Sequence, residues 1–422
     1  MNRKAAIFAV GAEVVHGFII NSNAAWMARE LSQLGFDVQY HLALTDREAD
    51  IVAAMREALA EGCLVISSGG IGPTVDDRTR EAAAKALGVP LELDHDDLAR
   101  LHDRYAAMGR RFPEGSERQC MRPAGARLIL NAFGTASCFL ARKGEGGIAV
   151  LPGVPRELKG IWAEELRAAL IEEFGLEAAW QSRQLMVFGA PESDLNNRVR
   201  DLLERTDAEG AILVDDAVIR LRWRVRGDAA LLEPILAEAR RRLGDLVFAD
   251  AEETLEGATV RLLNETGQRV ACAESCTGGM VSHLLTNVPG SSNVLLEGAV
   301  TYSNEAKQRR LGVQAETLAQ HGAVSEACAL EMARGMLRDS GADITIATTG
   351  IAGPGGGTDD KPVGTVWIAA AMRDTARAWK LRVPGDRELV KWRSARTALN
   401  TLRLAALHGK LPEQIAHWVT PP

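Results

Sequence analysis

The sequence predicts an α/β protein of three domains, in which a parallel-sheet domain and a second α/β domain flank a small α+β domain. Three observations lead to this prediction. Strand and helix patterns alternate over the first 90 residues, a β-α-β-β-α-β order follows between residues 182 and 249, and a further α/β alternation begins near residue 255. At roughly 150 residues per domain, a chain of 422 residues has room for two to three domains.

The N-terminal region contains three apolar runs typical of buried strands, at residues 4–10, 36–44 and 64–67. Helical patterns separate them. Strands that alternate with helices in this order predict a parallel sheet with helices on both faces. We assign this domain to residues 1–175.

Two helix starts are predicted from capping residues in this domain. Asn23 is expected to cap a helix over residues 24–34. Thr45 and Glu48 have the spacing of a capping box, which predicts a second helix that ends near residue 60.

The middle region, residues 180–252, has the element order of a split β-α-β-β-α-β domain. Its strand over residues 218–226 alternates hydrophobic side chains with Arg220, Arg222, Arg224 and Arg226. An arginine-lined strand is compatible with RNA binding, but neither stacking aromatics nor a GxxG clamp accompanies it. We therefore favour a solvated face of an antiparallel sheet.

The third domain is predicted over residues 255–418. A helix at residues 255–265 leads into a strand at 269–273. A loop, a helix, a strand and further helices then lead to a strand at residues 342–348, which is followed by a glycine-rich loop and two more strands. A long helix at residues 387–407 ends the domain.

Composition and charge exclude several classes of protein. The chain is 46% hydrophobic and 25% charged, as globular proteins are, and its formal net charge of -7 provides no overall positive field for nucleic acid or an anionic membrane. The longest apolar runs fall far below the ~20 residues of a membrane span, and the start of the chain does not match a signal peptide. Six cysteines are too few for a disulfide scaffold and lack the spacing of a zinc site. We expect a cytoplasmic protein.

A glycine-rich loop, residues 68–79 (Ser-Gly-Gly-Ile-Gly-Pro-Thr-Val-Asp-Asp-Arg-Thr), connects the third strand to a helix. Glycines at the carboxyl end of a parallel strand let backbone N–H groups approach an anion, which favours phosphate. Asp76 and Asp77 would repel a bare phosphate, so we expect a divalent cation such as Mg²⁺ between them and the phosphate oxygens. Alternatively, one of these aspartates caps the following helix, which leaves the three glycines unexplained.

A comparable turn, Ala-Glu-Ser-Cys-Thr-Gly-Gly at residues 273–279, lies in the third domain. Ser275 in such a turn would be exposed and backed by amide groups that can stabilise an oxyanion. The spacing is not GxSxG, and by itself Ser275 could equally cap a helix. Residues 302–307 and 348–357 end two further strands with hydroxyl, amine and glycine groups. The three strand ends are therefore expected to share one crevice.

A serine nucleophile in this crevice needs a base. Lys307 can serve if desolvation keeps its amine neutral, with Tyr302 as a proton relay, because serine–lysine pairs are a known variant of nucleophile activation. Cys276 is the rival nucleophile. It ranks below Ser275 because a thiolate usually needs a histidine, and His283 lies two turns along the next helix.

The N-terminal motifs resemble those of the molybdopterin-binding-type domain in the competence/damage-inducible CinA family. The matching segments are residues 11–17 (Gly-Ala-Glu-Val-Val-His-Gly), 21–23 (Asn-Ser-Asn), 69–77 and 151–155 (Leu-Pro-Gly-Val-Pro). This resemblance implies metal-dependent ADP-ribose pyrophosphatase activity. It assigns phosphate binding to Gly69, Gly70, Gly72 and Thr74, and metal binding to Asp76 and Asp77.

The sequence departs from that family pattern at two places, and these departures weaken the implied pyrophosphatase activity. The family usually has Gly-Asp-Glu where Gly11-Ala12-Glu13 stands, and Ala-Pro-Gly where Ala136-Ser137-Cys138 stands. Loss of a carboxylate at Ala12 removes a metal ligand or a group that orients one. The resemblance therefore implies phosphate or nucleotide binding more firmly than pyrophosphatase activity.

The C-terminal motifs, together with residues 361–365 (Lys-Pro-Val-Gly-Thr) and 385–387 (Gly-Asp-Arg), resemble the CinA C-terminal domain, whose relatives are nicotinamide-nucleotide amidases. The resemblance spans the whole chain and implies a KH-like fold for the middle domain. It also implies hydrolysis of nicotinamide mononucleotide to nicotinate mononucleotide and ammonia without a cofactor in that step.

The same resemblance assigns roles to individual residues. Ser275 would attack the amide, Tyr302 and Lys307 would move protons, and Thr349 would bind the substrate or the oxyanion. Substrate binding is assigned to Thr277, Gly278, Gly279, Gly350, Gly353 and Arg387. Arg387 is the candidate for the nucleotide phosphate, although an arginine at a helix start is more commonly a surface residue.

An alternative of a different class is a regulatory protein of competence or DNA damage responses that binds nucleotides without turnover. Ala12 favours this alternative for the N-terminal domain only. The expected partners are small nucleotides and further copies of the chain, which would form a homo-oligomer, and we expect neither a membrane nor a nucleic acid as a partner.

Overall fold

The computed structural model describes residues 3–176, 180–215, 217–373 and 375–417. The chain forms two compact units, Met1–Gln181 and Ser182–Pro422. The predicted domain limits 1–175, 180–252 and 255–418 stay predictions, and residue 418 lies outside the described residues. Within the described residues, none of the helices combines the length and the apolarity that crossing a bilayer requires.

The first unit is built on a six-stranded mixed sheet. The predicted parallel strands form the larger part of this sheet. The strands of this unit are β1 (Arg3–Val10), β2 (Phe36–Leu44), β3 (Leu64–Ser68), β4 (Leu91–Leu93), β5 (Met121–Pro123), β6 (Arg127–Ile129), β7 (Cys138–Lys143) and β8 (Gly146–Leu151). The order in the main sheet is β2-β1-β3-β8-β7-β6, and β4 pairs with β5 separately. The first four strands are parallel and the β8-β7-β6 edge is antiparallel. Consecutive buried residues along β1, β3 and β8 show that both faces of the sheet are covered.

The helices of this unit begin differently from the prediction at two places. They are α1 (Ala12–Val15), α2 (Ser22–Gln33), α3 (Glu48–Ala60), α4 (Thr79–Leu87), α5 (His95–Ala107), α6 (Pro155–Ile161) and α7 (Arg167–Phe174). Asn21, not Asn23, caps α2 by accepting from the Ala24 N–H at 3.0 Å, whereas Asn23 lies inside the helix and donates to the Gly153 carbonyl. The capping box of Thr45 and Glu48 is not formed, because α3 begins only at Glu48.

The middle domain confirms the predicted β-α-β-β-α-β order. Its elements are β9 (Trp180–Phe188), α8 (Glu192–Leu203), β10 (Glu209–Asp215), β11 (Val218–Arg226), α9 (Glu233–Leu243) and β12 (Val247–Ala249), with sheet order β10-β11-β9-β12. The hydrophobic face of β11 is buried against the helices. On its other face, Arg220 pairs with Glu252 and Arg224 with Glu209, as expected of a partly solvated surface.

The C-terminal domain is a five-stranded sheet between two layers of helices. Its strands are β13 (Val270–Glu274), β14 (Leu295–Val300), β15 (Ile344–Gly350), β16 (Thr365–Met372) and β17 (Thr375–Arg382). Its helices are α10 (Leu255–Thr266), α11 (Met280–Thr286), α12 (Asn304–Leu311), α13 (Ala315–His321), α14 (Glu326–Ser340) and α15 (Arg387–His408). One hydrophobic cluster joins α10, α11 and α15 to the sheet, and another joins α12 and α14 to it.

Strand order explains why the motifs of this domain meet. The sheet runs β14-β13-β15-β16-β17, and β13 is parallel to both β14 and β15. Glu274, the last residue of β13, lies beside Val300 and Thr348 of the neighbouring strands. The carboxyl ends of these three strands therefore lie side by side, as the sequence predicts.

Candidate functional site

Ser275 and Lys307 lie in direct contact at the carboxyl ends of β13 and β14. The Lys307 Nζ atom is 3.0 Å from Ser275 Oγ. It also donates to the carbonyl oxygens of Thr301 at 2.8 Å and Tyr302 at 3.2 Å. Ser275 begins the turn after β13, and Lys307 lies in the first turn of α12, which Ser303 caps through its hydroxyl. Two residues that are 32 positions apart in sequence are thus held together by adjacent parallel strands.

The environment of Lys307 favours the neutral amine. The side chain is only 1% exposed, and this burial lowers the pKa of the amine below its ordinary value. No carboxylate bonds to Nζ among the described residues. The three contacts fit the three N–H groups of an ammonium, and they fit a neutral amine that donates to the two carbonyl groups and turns its lone pair to the Ser275 hydroxyl. This arrangement allows Lys307 to accept the Ser275 proton.

A buried carboxylate, Glu274, holds the turn that carries Ser275. Its two oxygens accept five hydrogen bonds of 2.7 to 3.1 Å from the backbone N–H groups of Gly279, Val281 and Ser282 and the hydroxyls of Thr277 and Ser282. Gly278 and Gly279 turn the chain with positive φ angles of 66° and 93°. Ser275 is therefore not a helix cap, because Glu274 supplies the acceptors at the start of α11.

Cys276 is a poor nucleophile in this turn. Its side chain is buried, and desolvation raises the pKa of the thiol to about 12. A thiol with this pKa is almost entirely protonated at neutral pH, so the reactive thiolate is scarce. The geometry favours Ser275 as the nucleophile.

Within the described residues, the side chains of Tyr302, Thr349 and Arg387 form no hydrogen bond with the Ser275–Lys307 pair. The Tyr302 ring is 60% exposed and its Oη accepts from Arg387 Nη2 at 3.1 Å, while its backbone carbonyl contacts Lys307. Arg387 also donates to the Gly353 carbonyl at 2.7 Å. Thr349 is buried and donates to the Ala323 carbonyl.

Two further predicted residues have packing roles in the structure. The Thr277 hydroxyl donates to Glu274 and lies 2.7 Å from the Thr348 hydroxyl. Gly350 ends β15 at a place where a Cβ would meet Val366 at 2.7 Å. Thr277 therefore links the turn after β13 to β15, and Gly350 lets the end of β15 approach β16 closely.

The glycines of the N-terminal loop are required by close contacts inside the first unit. A Cβ at Gly69, whose φ is 98°, would lie 2.1 Å from the Val10 carbonyl oxygen. A Cβ at Gly70 would meet Thr79 Oγ1 at 2.3 Å, and one at Gly72 would meet the Asp77 carboxylate at 2.7 Å. Within the part of the chain that the structure describes, the N–H groups of residues 70–72 have no protein acceptor. Such adjacent free donors suit an anion.

Thr74 and Asp77 bind each other. Asp77 Oδ2 accepts from the Thr74 N–H at 2.9 Å and from its hydroxyl at 2.6 Å. Arg118 holds the same turn by donating to the carbonyl groups of both residues. The alternative that an aspartate caps α4 is wrong, because the N-cap position is Arg78 and has no side-chain bond.

The loop borders a cleft of about 730 Å³ that several carboxylates line. These carboxylates are Glu13, Asp46, Asp76, Asp77 and Glu157. Across the described residues, no three His, Cys, Asp or Glu side chains converge as metal ligands would. The donor set thus fits a cation that arrives with a phosphate and takes one or two carboxylates from the protein.

Sequence reasoning missed two acidic residues of these sites. Glu274 ends a hydrophobic strand, and only the folded turn brings its five donors together. Asp46 accepts from the Ala12 N–H at 3.1 Å, so a carboxylate lies beside the position where the resemblance indicated a lost one.

Three family profiles match the chain in succession. Residues 6–172 match a probable molybdopterin binding domain, residues 182–249 a damage-inducible protein CinA KH domain, and residues 252–406 a CinA C-terminal domain. These matches confirm the predicted order of a molybdopterin-binding-like domain, a KH-like domain and a C-terminal α/β domain.

Relatives match over nearly the full length. A putative competence-damage inducible protein of Symbiobacterium thermophilum is 43% identical over 411 residues, covering 93% of this chain and 96% of the relative. A CinA-like protein of Geobacter sulfurreducens is 40% identical over 406 residues, covering 95% and 98%. A crystal structure of a CinA superfamily protein from Klebsiella pneumoniae, 44% identical, covers 36% of this chain and 96% of its own, with a TM-score of 0.36. The chain therefore belongs to the CinA family of competence- and damage-inducible proteins.

Proposed function

We propose that the C-terminal site hydrolyses the carboxamide of nicotinamide mononucleotide to nicotinate mononucleotide and ammonia, with Ser275 as nucleophile. The observation that carries the proposal is the 3.0 Å contact between Ser275 Oγ and the buried amine of Lys307. A hydroxyl is a weak nucleophile until a neighbouring base takes its proton, and this amine is the base in contact with it.

The reaction would proceed in two steps. Ser275 Oγ attacks the carboxamide carbon while Lys307 Nζ takes the hydroxyl proton, and Lys307 then returns a proton to the leaving nitrogen as the C–N bond breaks. Ammonia leaves and an ester remains on Ser275. Water, deprotonated by Lys307, attacks this ester and releases the carboxylate product and the free serine.

Backbone amides next to the nucleophile would stabilise the oxyanion of both steps. Over the described residues, the N–H groups of Cys276 and Thr277 have no protein oxygen as acceptor, and both face the Cys276 sulfur, which is a weak acceptor that an oxyanion would replace. Donors in a fixed turn need no reorganisation when negative charge develops. Glu274 contributes by holding that turn in place through its five hydrogen bonds.

Ammonia release from nicotinamide mononucleotide, measured with purified full-length protein, tests the proposal. The Ser275→Ala variant should lose turnover, whereas Cys276→Ala should keep it. Turnover retained in Ser275→Ala would contradict the mechanism. Binding of the nucleotide without any turnover by the native protein would favour the regulatory alternative.

We further propose that the N-terminal cleft binds a nucleotide that contains a diphosphate, such as ADP-ribose, through the free amides of residues 70–72 and a divalent cation. Asp76 and Asp77 would hold the cation, which would neutralise charge between these carboxylates and the phosphates. Whether the bound diphosphate is cleaved depends on the carboxylates near position 12, where Asp46 is available. Calorimetric titration with ADP-ribose, in Mg²⁺ and in chelator, tests binding, and product analysis under the same two conditions tests cleavage.

A further inference from the structure

The start of α15 presents two cations to the Ser275 turn. Arg387 and Lys391 are four residues apart and thus lie on the same face of the helix. Arg387 bonds to Tyr302 Oη and to the Gly353 carbonyl. Lys391 Nζ lies over Gly278, 3.6 Å from the position that a Cβ on this glycine would occupy. The two cations therefore face neighbouring parts of the same site.

The two cations differ in how the protein uses them. Both terminal nitrogens of Arg387 already donate to protein oxygens. Lys391 is half-buried, and it has neither a hydrogen bond nor an ion pair within the described ranges. Of the nearby carboxylates, Glu274 is satisfied by its five donors, and Asp386 accepts from the Leu389 N–H. Glu388 lies three residues before Lys391 on α15, is exposed, and forms no ion pair with it within the described residues. Lys391 thus presents a positive charge that the described protein groups leave uncompensated.

We propose, on the basis of the amidase function above, that Lys391 binds the phosphate of the nucleotide substrate while Arg387 positions Tyr302 and the Gly353 loop. A phosphate monoester carries close to two negative charges at neutral pH, and a lysine ammonium binds it as a point charge. Gly278 places no side chain against the Lys391 ammonium, which leaves the ammonium uncovered on that side. Lys391 is therefore the specificity-determining residue that distinguishes a nucleotide from its nucleoside.

Kinetics with and without the phosphate group test this assignment. Lys391→Gln should raise the KM for nicotinamide mononucleotide by about 10- to 100-fold, as loss of a charged hydrogen bond does, and leave kcat within about threefold. It should not change kcat/KM for nicotinamide riboside, which lacks the phosphate. Lys391→Arg should restore most of the affinity. Lys380→Gln, an exposed lysine on β17 three strands away from β13, is the matched control for loss of charge.

An unchanged KM for the mononucleotide in Lys391→Gln would overturn the proposal, as would an equal rise for the riboside. A binding measurement distinguishes this outcome from a failure of the amidase function. In the Ser275→Ala background, calorimetric titration should show that Lys391→Gln weakens the binding of nicotinamide mononucleotide about tenfold or more. The affinity for nicotinamide riboside should stay unchanged. If the native protein released no ammonia, the amidase function would fail while this titration still decided the phosphate site.

Discussion

The two glycine-rich turns of this protein follow the same pattern and are built differently. Each connects a parallel strand to a helix, at residues 68–79 in the first unit and 274–280 in the second. In the C-terminal turn a fully buried carboxylate, Glu274, gathers five donors and leaves a serine in contact with a lysine. In the N-terminal loop Asp76 is exposed and Asp77 is partly exposed, and the amides of residues 70–72 have no acceptor among the residues that the structure describes.

This difference shows how one local pattern serves two chemistries. A turn that is fixed from inside can hold a nucleophile and an oxyanion site in one geometry, which acyl transfer requires. A loop with free amides and solvent-facing carboxylates instead offers its donors and charges to a ligand. Substitutions that affect one turn more than the other therefore test the comparison.

The largest effect is expected at Lys307, which has no counterpart in the N-terminal loop. Lys307→Met should reduce kcat/KM for nicotinamide mononucleotide by about 10² to 10⁴, the contribution of general base catalysis. In the native protein the rate should rise with pH as the amine loses its proton, with a midpoint below the ordinary lysine value of 10.5, because burial lowers the folded-state pKa. A pH–rate profile measures this midpoint.

Lys307→Arg provides the control, since a guanidinium stays protonated over this range. It should be as inactive as Lys307→Met at every pH. A Lys307 variant that kept activity within tenfold of the native protein would show that Lys307 is not the general base.

The next largest effect compares two glycines with positive φ. Gly69→Ala should destabilise its segment by about 3 kcal/mol or more, because it adds the left-handed penalty to a clash with the Val10 carbonyl. Gly278→Ala should cost only about 1–2 kcal/mol, because the new methyl group would merely touch Lys391. Hydrogen exchange followed by mass spectrometry reports the two segments separately. Equal losses would mean that the close approach at Gly69 does not decide its stability.

A pair of amide-for-carboxylate substitutions tests whether burial of the carboxylate determines how much each turn depends on it for stability. Glu274→Gln should cost about 2–4 kcal/mol, because its NH₂ group would face buried donors that need an acceptor. Asp77→Asn should cost about 0.5–1.5 kcal/mol, because water can reach Thr74. The same exchange measurement applies. A larger effect at Asp77 than at Glu274 would reverse the comparison.

The sequence predicted contacts that follow from strand topology and missed those that depend on side-chain direction. Ser275 and Lys307 meet because adjacent parallel strands end at one edge, which the alternation of strands and helices already implies. Tyr302 was expected at the nucleophile, yet its phenol bonds to Arg387 instead. The role of Glu274 was equally invisible, because an acidic residue at the end of a hydrophobic strand gives no sign of the donors that the folded turn supplies.

The two helix-cap predictions were wrong for a related physical reason. A capping pattern fixes a helix start only when no competing contact uses its residues. The Thr45 hydroxyl accepts from Arg47 Nε at 3.4 Å, Glu48 pairs with Lys85, and α3 begins two residues later than Thr45 would place it. Tertiary contacts of Glu48 with Lys85 and of Asn23 with Gly153 thus compete with the local capping signals.

The smallest structural effect, and the most informative one for the N-terminal loop, is expected at Asp76. This residue is exposed, so Asp76→Asn should change stability by less than about 0.5 kcal/mol. If a cation bridges it to a bound diphosphate, the same change should weaken ADP-ribose binding about tenfold or more in Mg²⁺ and have no effect in chelator. Asp103→Asn, an exposed aspartate on α5, is the matched control. Binding that is equal in Mg²⁺ and in chelator for the native protein would assign the phosphates to the free amides alone.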